Sequence, residues 1–342
     1  ISFFGVILFR WASSWVYCEI IGEMISGIIF GPSLFNIIPF SDAILWIGNI
    51  FLILLIAGAG IDFDTDSLSH SGVKIVSAAT TGVILPLVFC PLFLYLFGAS
   101  FIEAFAGSAC MASTSIGFAV TLLEQHGMTS TSIGQIITGA AMMDDIESLV
   151  LLGILSSIGN FEGGFVDMII ILIVPIITSC ILLVIGFLFC FSLPSVFEFV
   201  FGFLDSWRGR LFKRNYEESM QTNFVCLISV LLLVSFFVLL AIQAQTTYLL
   251  GAFVGGLSMS KVKGAKEAYH EIQYLILFGM SVFFVSIGFY IPFADMLQIR
   301  IILYGIAFSV PSIGSKLLVG LFARESKSDV FILGWAMVGR GE

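Results

Sequence analysis

Two aspartates stand side by side in Gly139-Ala140-Ala141-Met142-Met143-Asp144-Asp145-Ile146-Glu147, near the middle of a long apolar stretch. Carboxylates at such depth are costly, and ionisable residues in these places face a bundle interior or a wet cavity and mark an ion or proton path. Adjacent helical positions diverge by about 100°, so the two carboxylates cannot both serve one ligand cage and are expected to have separate partners. Lys316, in Gly314-Ser315-Lys316-Leu317-Leu318, is the one basic residue well inside a long apolar stretch, and pairing with one aspartate would offset the cost of burying both charges. The other aspartate then remains free to exchange its charge partner. A carboxylate in a partly desolvated cavity holds a proton more readily than one in water, so proton and metal ion compete for it. That competition is the minimal chemistry of an antiporter. Na+ and Li+ are hard ions that prefer oxygen, by analogy with other hard cations. Thr114 and Ser115, in Ala112-Ser113-Thr114-Ser115-Ile116-Gly117, supply hydroxyls, and the glycine permits a helix break that exposes backbone at the site.

Each residue also has a plainer reading. The acidic pair with Lys316 could be a purely structural ion pair, and Ser113, Thr114 and Ser115 could simply pack helix against helix, as small hydroxylated residues do in membranes. Glu19, Glu23 and Glu103 fall near the ends of apolar stretches, where solvated or interfacial positions are the default. His70, His126 and His270 lie in or beside polar connections and read as surface residues, with pH sensing as the alternative. The six cysteines sit in apolar runs without CxxC or Cys/His spacing, which reads as small buried hydrophobes and not as disulfides or metal ligands.

The elements that position these residues belong to a membrane protein. Of 342 residues 59% are hydrophobic and only 11% charged, with 36 Phe and a mean hydropathy of +1.10, whereas a soluble domain needs about a quarter of its residues charged. Fourteen basic residues against 23 acidic ones leave no basic stripe to neutralise phosphates, which argues against nucleic acid as a partner. A bilayer's hydrocarbon layer takes about 20 apolar helical residues. Cutting at polar clusters gives long spans at 43–61, 75–97, 101–123, 133–158, 165–191, 224–244, 272–293 and 301–323, and shorter pieces at 1–12, 16–38 (broken at Gly31-Pro32), 247–260 and from 330 onward. Polar connections lie at 62–72, 192–222 and 261–271. With loops numbered alternately, Arg10, Lys74, Arg208, Arg210, Lys213, Arg214, Lys261, Lys263, Lys266, Arg324 and Lys327 fall on one side and Arg300 alone on the other. Such asymmetry marks the basic side as cytoplasmic. The fold class is all-α, integral and multi-pass, and the sequence leaves open which membrane holds it.

An internal repeat is legible. Gly22-Glu23-Met24-Ile25-Ser26-Gly27-Ile28 resembles Gly251-Ala252-Phe253-Val254-Gly255-Gly256-Leu257 at an offset of 229 residues. The spans that start at 43, 75 and 101 recur at 272, 301 and 330 with almost the same spacing. An odd number of crossings separates the copies, so the repeat is inverted, as in many transporters.

GEMISGIIFGPSLF at 22–35, STSIGFAVTLLEQHGM with GAAMMDD from 113 to 145, LLGAFVGGLSMS at 249–260, FFVSIGF at 283–289 and GWAMVGRGE at 334–342 together resemble the sodium/hydrogen exchanger domain of the monovalent cation:proton antiporter superfamily, in its bacterial-type sodium/proton branch with paired aspartates. The resemblance implies a panel used for homodimerisation and a core in which two broken helices cross beside the aspartates. It further implies that Asp145 binds the cation (Na+) and the proton, that Asp144 pairs with Lys316, and that Thr114 and Ser115 lie on a crossing helix. The expected function is exchange of a monovalent cation, Na+ foremost, for protons by alternating access, with a K+/H+ antiporter or a cation channel or sensor of the same fold as alternatives. Partners are monovalent cations (Na+, or Li+ or K+), protons and the lipid bilayer, with no cofactor. An intramembrane aspartyl protease also uses two aspartates, but its carboxylates must converge on one water, which neighbours on one helix cannot easily do. Glu147 departs from the family, whose members usually carry an apolar residue there. The expected organisation is a first repeat over 1–191, with core-domain spans near 75–158 and panel spans at the N-terminal end, a cytoplasmic linker over 192–222, and a second, incomplete repeat over 223–342. The offset maps the aspartate-bearing span beyond Glu342, and Ile1 begins inside an apolar segment. The expectation is therefore a fragment, truncated at its C-terminal part, inactive alone and active when extended by the missing spans.

Overall fold

The computed structural model describes residues 19–32, 34–35, 41–63, 65–114, 123, 126–128, 131–158, 165–208, 218–291, 296–322 and 327–338, with the side chains of 19–21, 41, 65–71, 165–172, 197–208, 218–223, 322 and 327 left aside. These residues form α1 (Glu19–Phe30), α2 (Ser41–Asp62), α3 (Thr65–Leu96), α4 (Phe101–Cys110), α5 (Ser132–Ile158), α6 (Phe165–Arg208), α7 (Glu218–Gln243), α8 (Tyr248–Met259), α9 (Ala265–His270), α10 (Gln273–Gly288), α11 (Ile299–Leu317), a 3-10 turn (Leu318–Phe322) and α12 (Lys327–Val338). Among the described residues five helices are long and apolar enough to cross a membrane. In lipid every backbone polar group must be satisfied within the segment, and helices do this.

The chain divides into two compact units that do not follow its order: one takes 1–39, 64–158 and 287–342, the other 40–63 and 159–286. In the first, α3 packs against α4, α5 and α11, and α12 packs on α11, the 3-10 turn and α5. Ala78, Ile136, Ile137, Ala140, Val319, Leu333 and Met337 form its centre. In the second, α8 is the axis, buried along its length from Leu249 to Met259 and packed on α2, α6 and α7. Glycines allow this. A Cβ at Gly256 would run into the Ala57 carbonyl of α2, and one at Gly60 into the Phe253 carbonyl of α8, so the backbones are closer than any side chain permits.

Several boundaries differ from the sequence reading. The connection expected at 62–72 is short, because α3 already begins at Thr65. The helix that starts at Phe165 does not stop near 191 but continues to Arg208, through Pro175 and Pro194. The 261–271 connection contains α9. Glu23 is buried and not interfacial. Cys90, Cys190 and Cys226 are buried free thiols as expected, but Cys110 and Cys180 are exposed, because they sit on outward faces of apolar helices. Cys18 lies outside the described residues.

Candidate functional site

The span expected at 101–123 is interrupted. Ser100 caps α4 in a reciprocal capping box with Glu103, which satisfies N–H groups at its start, and the helix then ends at Cys110. Met111 and Ala112 turn, and Ser113 and Thr114 are not helical. Carbonyls that a continuing helix would consume are thereby released at this break. Ser115 lies outside the described residues.

Lys316 occupies the opening. It is wholly buried in the last turn of α11, and its ammonium donates to Asp144 Oδ2 at 3.1 Å, to Thr114 Oγ1 at 2.7 Å and to the Ala112 carbonyl. An ammonium carries three N–H donors, and three acceptors converge on it, two from the break after α4 and one from α5. The cation is matched by a carboxylate, by a hydroxyl, and by the carbonyl end of α4, where the helix dipole favours positive charge. Thr114 passes the contact on, its hydroxyl donating to the Met337 carbonyl of α12 at 3.2 Å. The polar centre thus ties α4, α5, α11 and α12 together within one unit.

Asp144 is fully buried whereas Asp145 is partly exposed, so the neighbours face differently, as their helical divergence requires. Glu147, one turn on, accepts the Thr80 hydroxyl of α3 at 2.6 Å. Sequence reasoning missed Thr80, and it missed Gly82, whose absent side chain leaves room beside the Lys316 ammonium: a Cβ there would lie 3.6 Å from Nζ. The available signal was Thr80-Thr81-Gly82, a polar and small interruption within the apolar run of α3. The Ala112 and Met337 carbonyls leave no signal in residue type at all.

His126 is exposed. His270 Nε2 lies 3.4 Å from Asp62 Oδ1, which also receives Lys266 at 2.8 Å, a surface pairing worth under about 1 kcal/mol. Beside it Tyr269 donates to the Leu54 carbonyl; burial and then the Asp62 charge hold its phenol above the usual range. The side chain of His70 is outside the described residues. Among the described residues no group of three or more His, Cys, Asp or Glu could hold a metal ion.

Comparison with known proteins agrees with this architecture. GerT of Bacillus cereus is 28% identical over 95% of this chain and 81% of its own. The Na+/H+-K+ antiporter GerN of the same organism is 26% identical over 95% of this chain and 79% of its own, and the Na+/H+ antiporter of Enterococcus hirae 25% over 94% and 80%. The solved structure of the sodium proton antiporter NhaP1 from Methanocaldococcus jannaschii matches with a TM-score of 0.63, covering 98% of this chain and 84% of that one, and at 15% identity this is a likeness of fold. A family model, described as the transmembrane sodium/hydrogen exchanger, matches residues 1–342. This all-helical, multi-pass integral membrane protein belongs to the sodium/hydrogen exchanger family, a family of membrane transporters.

Proposed function

We propose that the protein exchanges Na+ for protons across its membrane by alternating access, with Asp145 as the group that binds cation and proton in turn. The observation that carries this reading is the sealed Lys316–Asp144 pair next to a partly exposed carboxylate on the same helix. Asp144 is buried against Lys316, and the partial exposure of Asp145 supports it as the carboxylate that faces a solvated path. A proton neutralises it on one side of the membrane. Release of that proton leaves a negative oxygen that a hard cation then binds in the proton's place, and the loaded carboxylate carries the cation back. Thr114 and Ser115, at and beyond the backbone break, are proposed oxygen ligands, with Lys316 as the fixed counter-charge. The inverted repeat read from the 229-residue offset supplies a symmetry by which one site could open to either face. The panel of a homodimer would be the static frame. The K+ in the name of GerN favours K+ as the second cation to test.

The test is pH-gradient dequenching in proteoliposomes. Addition of Na+ should drive proton movement, and Asp145→Asn should abolish it while the protein still purifies as a folded species. Normal exchange by a folded Asp145→Asn protein would remove this residue from the mechanism. A conductance without proton coupling would favour the channel reading.

A further inference from the structure

Glu147 has no role in the cycle just described, yet it is placed to affect it. It lies three positions beyond Asp144 on α5, and residues at that spacing share a helix face with Cβ atoms roughly 5–6 Å apart. Its carboxylate is partly buried and held by a hydrogen bond of 2.6 Å from Thr80. The same stretch of α3 carries Gly82, beside the Lys316 ammonium. The charges that act on Glu147 are Asp144 on its own helix and Lys316 on α11. Lys316 is already ion-paired with Asp144. The ammonium that balances Asp144 thus has a second carboxylate, Glu147, within its field, where an apolar residue at 147 would leave it with Asp144 alone.

We infer that Glu147, fixed by Thr80, is an affinity-setting residue: its negative charge strengthens cation binding at Asp145 without touching the ion. The inference rests on the proposed cation site at Asp145. Attraction between charges is far stronger in a protein interior than in water, so a charge two positions from Asp145 counts here although the two side chains face different ways. Thr80 restricts where that charge sits, because its hydroxyl links α3 to α5. Charge and hydrogen bond can be separated by substitution. A glutamine keeps a carbonyl oxygen for Thr80 and loses the charge. Valine at position 80 keeps the charge and loses the bond.

The experiment measures equilibrium binding of Na+ alone to the purified protein, at alkaline pH where protons compete least, together with maximal exchange rate in proteoliposomes. E147Q should weaken Na+ binding roughly tenfold or more while its rate at saturating Na+ stays within roughly twofold of wild type. E147D, which keeps the charge, should bind close to wild type, and T80V should weaken binding less than E147Q. A bond that is merely structural gives the opposite order, with E147Q like wild type and T80V impaired, and that order overturns the inference. If E147Q is not recovered folded, E147D carries the test: Na+ affinity close to wild type supports the inference, and a loss at least as large as that of T80V overturns it. A wild-type protein that binds no Na+ overturns the exchange reading and this inference with it. Normal wild-type binding with unaltered E147Q overturns the inference alone.

Discussion

A wholly buried ammonium needs acceptors at fixed positions, and Lys316 has them in Asp144, Thr114 and the Ala112 carbonyl. Removing one member of such a pair leaves an uncompensated buried charge, at a cost of about 3–5 kcal/mol. Lys316→Ala should therefore lower the melting temperature of the purified protein clearly more than Lys263→Ala, since Lys263 is exposed. Equal shifts in a thermal melt would argue that the pair contributes little. That Lys316 meets an aspartate could be anticipated from scarcity alone, because no other basic residue lies so deep in a long span. Thr80 could not be anticipated. A hydroxyl in an apolar helix commonly bonds its own backbone, as Thr81 does with the Ser77 carbonyl, and nothing in the Thr80-Thr81 dipeptide says which hydroxyl reaches across to Glu147.

At the scale of elements, hydropathy locates apolar runs but not where a helix continues through polar residues. The acidic charges at 62–66 suggested a loop, yet α2 runs to Asp62 and α3 begins at Thr65, and the linker expected from 192 is helical as far as Arg208. The break after Cys110 was legible, because Ser113, Thr114 and Ser115 with Gly117 interrupt the apolar run. Glycine content was legible too, but not which glycines face backbone. The close approach of α2 and α8 gives a direct test. Any side chain at Gly256 meets the Ala57 carbonyl, so Gly256→Ala must push the helices apart, and overpacking of this kind costs about 1–3 kcal/mol. Gly305 of α11 has open space around it, so Gly305→Ala should be neutral, or stabilising by up to about 1 kcal/mol from helix propensity. Melting curves of the two variants in one detergent check the contrast, and equal behaviour would mean that the α2–α8 contact yields easily.

For the molecule as a whole, the division into units was not legible. Each unit gathers segments from distant parts of the chain, and which helix joins which core depends on long-range fits such as Ala78 with Met337, which local patterns do not encode. Orientation is a different matter, because charge in the loops reports it. Lys263 and Arg300 are separated by α10, whose 16 residues rise only about 24 Å against a hydrocarbon layer of about 30 Å. To cross, α10 must borrow length from the apolar residues at its ends, Ile272 before it and Phe289, Tyr290 and Ile291 after it. If it does, the basic side at Lys263 faces the cytoplasm and Arg300 faces away. Single cysteines placed at 263 and 300, with the six native cysteines replaced by alanine, test this with a membrane-impermeant thiol reagent. The cysteine at 300 should label in intact cells, and the one at 263 only after permeabilisation. The reverse pattern would invert the assigned orientation. Labelling of both from one side would mean that α10 does not cross, and the second copy of the proposed repeat would then lose a span that the first copy has at α2.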